Sequence, residues 1–118
     1  MKYWVNIPVQ VVGYQGDLGD NIELVVEQLA KLDACNAALL DYSAESDATD
    51  DTAEFGVTVE ASGLEDALRT GLSCIRSAIH ATGAATPDWD DKAALGEGVV
   101  IYQIDADESV EVRPLVSA

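Results

Sequence analysis

The stretch YWVNIPVQVV, residues 3–12, alternates apolar and polar side chains. Tyr3, Val5, Ile7, Val9 and Val11 fall on one side, and Trp4, Asn6, Pro8 and Gln10 on the other, the period of a half-buried strand. Everything downstream takes its place from this strand. The glycines and aspartates of GYQGDLGD (13–20) make a loop after it. A first helix follows, with Asp20 and Glu23 spaced as a capping box and Ile22, Val25, Val26, Leu29 and Leu32 as its apolar stripe.

A second strand is expected over 37–45, where Ala38, Leu40, Tyr42 and Ala44 alternate with Leu39, Asp41, Ser43 and Glu45. The polar run 46–51 reads as a hairpin loop. A third strand over 53–61 turns Ala53, Phe55, Val57, Val59 and Ala61 inward. The second helix opens on the capping-box pair Ser62 and Glu65 and closes at Gly83. Its stripe includes Gly71, a residue unfavourable in mid-helix by about 1 kcal/mol, whose place on the buried side would allow close approach to the sheet. Val99 to Ile104 is a last apolar strand; Val110, Val112 and Leu115 either continue it or form a short extra strand.

This order is β-α-β-β-α-β. It predicts an α+β chain of the ferredoxin-like kind, an antiparallel sheet with two helices on one face, as a single domain over 1–118. The first strand is central in that arrangement, yet Pro8 cannot donate to a ladder. A bulge at Pro8, or a fourth strand too short to pair at its level, is therefore expected.

Strand direction sends the connections 13–20, 46–51 and 84–98 to one end of the sheet. They carry Asp17, Asp20, Asp47, Asp50, Asp51, Asp88, Asp90 and Asp91, with Trp89 in the midst of the last cluster. Trp89 is either an amphipathic anchor in an acidic patch, suited to a Lys- or Arg-bearing partner, or a ring folded back over the end of the second helix. The uncovered sheet face is a second candidate surface. It is expected to show Trp4, Asn6, Leu39 and Thr58 among polar neighbours, as a dimer face or a solvated one.

Composition narrows the classes. Six Lys plus Arg stand against 22 Asp plus Glu among 118 residues, a net charge of −16. That field repels phosphate, so direct nucleic-acid binding and anionic membrane surfaces are disfavoured, while basic proteins are attracted. Solubility or adaptation to high salt would produce the same charge. Apolar residues make up 48% of the chain, enough for a packed core. Cys35 and Cys74 form no CxxC, and the opening residues, broken by Asn6, Pro8 and Gln10, lack the apolar core of a signal peptide. A cytoplasmic protein with reduced thiols is the expectation.

No catalytic constellation stands out. Cys74 and the single histidine, His80, are six apart on one helix and point in different directions. The acidic runs 46–51 and 105–108 do not match a calcium loop, and GDLGD is not a dinucleotide motif. No metal or cofactor is implied.

The segments KYWVNIPVQV (2–11), SGLEDAL (62–68), ATPDW (85–89) and VEVRP (110–114) together resemble small acidic βαββαβ proteins of actinobacteria and their phages. The acidic tail after the last strand departs from their shorter ends. The family carries no assigned activity, so the resemblance implies no catalytic residue; it implies a small phage- or host-encoded modulator that acts by binding. The expectation is a homodimeric protein-binding module whose acidic pole meets a basic partner; its variant of most consequence is a mimic of DNA, with carboxylates standing in for phosphates. The rival classes are a small enzyme with a carboxylate-based site and a structural assembly subunit.

Overall fold

In the computed structural model, which describes residues 1–14, 16–35, 38–86, 100–104 and 110–115, the first strand sits in mid-sheet. β1 (Lys2–Val12) is followed by α1 (Leu18–Cys35), β2 (Leu39–Asp47), β3 (Thr52–Glu60), α2 (Leu64–Ala81), β4 (Ile101–Ile104) and β5 (Glu111–Pro114). The sheet order is β2-β3-β1-β4, with β5 also on β1. Every strand pairing is antiparallel.

Beside β1, β4 and β5 stand end to end. β4 covers Val9 to Val12, and β5 covers Tyr3 to Asn6. The Val11 amide donates to the Asp51 carbonyl at 2.8 Å, so odd-numbered residues of β1 turn their peptide groups toward β3. Even-numbered ones, Pro8 included, face the other way. Among the described residues nothing pairs with Pro8 on that side. The β1–β3 register runs through Pro8↔Glu54 without a bulge; the residues that follow β4 at the level of Pro8 lie outside the described residues.

The core lies between the sheet and the two helices. Val5, Ile7, Val9, Phe55, Val57 and Val59 are fully buried beneath Val25 and Leu29 of α1 and Ala67, Ile75, Ala78 and Ile79 of α2. Gly71 brings α2 onto the sheet: a Cβ there would stand 2.8 Å from Val5 Cβ and Cγ1. Cys74 is buried on the same helix face, and burial pushes its thiol pKa up.

Three details differ from the sequence reading. Leu39 was expected on the open face, but it is 2% exposed in the core. The cause is a β-bulge: Leu39 pairs with Val59 and Asp41 with Thr58, so Leu40 is the extra residue and the alternation inverts there. α1 starts at Leu18 rather than after Asp20, because Asp17 Oδ1 accepts the Gly19 amide at 2.8 Å and so caps the helix. At α2, the carboxylate that reaches back to the Ser62 amide and hydroxyl belongs to Asp66, not Glu65. Gly83 ends α2 as expected, at φ 90° with its amide on the His80 carbonyl.

Candidate functional site

With both helices on one side, the even-numbered side chains of β1 and β3 and the odd-numbered ones of β2 after the bulge share the other. Trp4 lies opposite Thr58, and Asn6 opposite Gly56. Trp4 is half-buried because its ring folds onto the sheet. A Cβ at position 56 would fall within the edge formed by Trp4 Cζ2 and Cη2, so the absence of a side chain at Gly56 is what seats the indole. With Leu39 in the core and Trp4 lying flat, the face loses most of the apolar character expected of it.

Carboxylates take its place. The β2–β3 register sets Glu45 directly opposite Glu54. Like charges so placed repel, and neither side chain has a cationic partner among the described residues. The pair divides two hollows. One, of about 320 Å³, is lined by Pro8, Glu45, Asp47, Asp50, Thr52 and Glu54. The other, of about 250 Å³, is lined by Trp4, Asn6, Ser43, Glu45, Glu54 and Glu111. Among the described residues the strands carry two basic side chains, Lys2 and Arg113, which sit toward the opposite end from the first hollow, facing Glu60 and Trp4 in their ladders.

The face runs into an acidic rim. The chain leaves β1, α1 begins, and the β2–β3 hairpin turns at this end, so Asp17, Asp20, Asp47, Asp50 and Asp51 share it. Tyr14 ties the first loop to the hairpin by donating its hydroxyl to Asp51. Its phenol pKa is raised, first by that hydrogen bond, then by desolvation and by the charges of Asp51 and Asp17. Asp51 holds a left-handed conformation at φ 56°, and Asp47 accepts the Thr49 amide at 2.9 Å, which together shape the turn. Asp88, Trp89, Asp90 and Asp91, assigned to the same pole from sequence, lie outside the described residues.

The structure thus brings Asp17 and Asp51 together around Tyr14, and Asp47 and Asp50 together in the larger hollow. Asn6 and Thr58 stay on the open face; Leu39 leaves it. Glu45 and Glu111 were missed as site residues. Glu45 shares the parity of Asp41 and Ser43, so alternation could have signalled it, whereas the location of Glu111 beside Asn6 needs the ladder register.

Chemistry of other kinds finds little support. Among the described residues no group of three or more His, Cys, Asp or Glu is placed to hold a metal ion, and no helix is long and apolar enough to cross a membrane. His80 Nε2 lies 2.7 Å from the hydroxyl of buried Thr86, a contact that ties α2 to the chain after it. No family model, curated protein or solved structure matches this chain.

Proposed function

We propose that this chain is a ferredoxin-like domain with a short fifth strand added beside β1, and that it works by binding: its open sheet face and acidic rim receive a Lys- or Arg-bearing protein segment. The strand order supports the first part, since β1 lies between β3 and the β4–β5 pair while both helices cover one face. The Glu45–Glu54 opposition carries the second part. Two uncompensated carboxylates set side by side cost stability, and a partner's cation between them removes that cost. The net charge of −16 steers such a partner toward the molecule over distances that salt would shorten.

A partner of different sequence is favoured over a second copy of the chain. Two such faces brought together would gather their carboxylates in one interface, with Lys2 and Arg113 the strand cations to set against them among the described residues. The modulator role implied by the resemblance to small phage and actinobacterial proteins fits a domain that acts by occupying a basic surface.

The test is calorimetric titration with a soluble peptide alternating Lys and Val, at low and moderate salt. Binding should weaken as salt rises, and Glu45→Gln with Glu54→Gln should weaken it by about tenfold, the loss of one charge-assisted contact. Equal affinity for the wild type and the double variant, or for a peptide alternating Glu and Val, would remove the reading.

A further inference from the structure

The two edges of the sheet are unlike. On one side stand β4 and β5, four residues each, and Ala85 bridges Ile101 on the outer margin of β4. Short edge strands and covered ones resist pairing with other chains. On the other side β2 runs for nine residues, and among the described residues nothing pairs with its outer margin.

The direction of its peptide groups follows from the ladders. Asp51 faces β1, so even-numbered residues of β3 face β2, and their partners Asp41, Ser43, Glu45 and Asp47 face back. The peptide groups of Tyr42, Ala44 and Ser46 therefore point outward. The Tyr42 amide is satisfied by Asp41 Oδ1 at 2.8 Å. The amides of Ala44 and Ser46 and the carbonyls of all three have no backbone partner on that side among the described residues. A strand laid there would place alternate side chains next to Asp41, Ser43, Glu45 and Asp47 on the open face. The intervening ones would meet half-buried Tyr42 and Ala44, which pack against the core.

We infer that β2 is a strand-addition site for an extended segment carrying Lys or Arg at alternate positions and small apolar residues between them. This rests on the basic-partner reading and specifies how the partner docks: main-chain hydrogen bonds to Ala44 and Ser46 supply affinity, and the carboxylate row selects charge. The same row excludes a second copy of the chain, because pairing β2 with itself sets Asp41, Glu45 and Asp47 against one another.

The test follows amide exchange by NMR on the ¹⁵N-labelled full chain, with a capped heptapeptide alternating Lys and Val as the probe. At free peptide about ten times Kd, exchange at Ala44 and Ser46 should slow by about tenfold, and Ala44→Pro, which removes an outward donor, should weaken binding by about tenfold. Binding with unchanged exchange at both amides overturns strand addition while leaving the basic-partner reading standing. Absence of binding at low salt overturns both. The exchange measurement uses the wild type, so it decides the matter even where Ala44→Pro fails to fold.

Discussion

Gly71→Ala tests how α2 meets the sheet. Its new methyl group would lie 2.8 Å from Val5 Cβ and Cγ1 and 2.9 Å from Cγ2. These atoms are close to the β1 backbone, so no flexible side-chain end can swing aside. Overpacking of this kind costs about 1–3 kcal/mol, against which alanine returns about 1 kcal/mol of helix propensity. The net expectation is a loss of about 1–2 kcal/mol, read in thermal denaturation as a fall in Tm of about 4–8 °C. Val5→Ala alone empties a fully buried site and costs about 2–3 kcal/mol. Combined, the two should cost less than their sum by about 1 kcal/mol or more, since the smaller side chain at position 5 makes room for the methyl group at position 71. A rise in Tm for Gly71→Ala, or strict additivity in the double variant, would refute the close approach.

On the open face, Gly56→Ala should push the Trp4 indole off the sheet. In a Trp89→Phe background its fluorescence maximum should move to the red, and an unmoved spectrum would show that the ring is not seated on Gly56. Glu54→Gln should raise stability at low salt by about 0.2–1 kcal/mol by relieving Glu45, with the gain shrinking at about 1 M salt; denaturant titrations at the two salts measure this, and a loss at low salt would count against the repulsion. Tyr102 is buried and its phenol pKa is pushed up to about 12 by desolvation. The unfolded phenol ionises near about 10, so stability is unaffected below that pH and falls as pH rises from about 10 to 12. Tyr102→Phe should flatten this alkaline arm. It should cost little at neutral pH, because the hydroxyl has no hydrogen-bond partner among the described residues; an unchanged arm in denaturation against pH would refute the assignment.

Much of the architecture was legible because it depends on local periodicity. The alternation over 3–12 fixes which face of β1 is buried wherever that strand lies, and the stripe from Ala67 to Ile79 commits α2 to a sheet in the same way. Pro8 raised the alternatives of a bulge or a short neighbouring strand, since a missing donor is a property of the residue itself, and the β1–β3 ladder runs past it without a bulge. The inward face of Leu39 was not legible: a bulge shifts parity by one residue, and no composition signal marks Leu40 as the extra one. Helix starts were misplaced by similar margins, because Asp17 and Asp20, or Glu65 and Asp66, offer equivalent carboxylates to a cap and only the chain's path selects between them.

From the amino acids alone came the charge, the helical and strand periods, and the gathering of Asp17, Asp47, Asp50 and Asp51 toward one end, all of which follow from residue type and chain direction. Only the folded sheet decided that Glu45 faces Glu54, that Gly56 receives Trp4, and that β2 forms a long edge while the strands on the other side are short. Those are relations across strands distant in the chain. They depend on ladder register, which is set by the combined packing of both helices and by a bulge whose position no local pattern records.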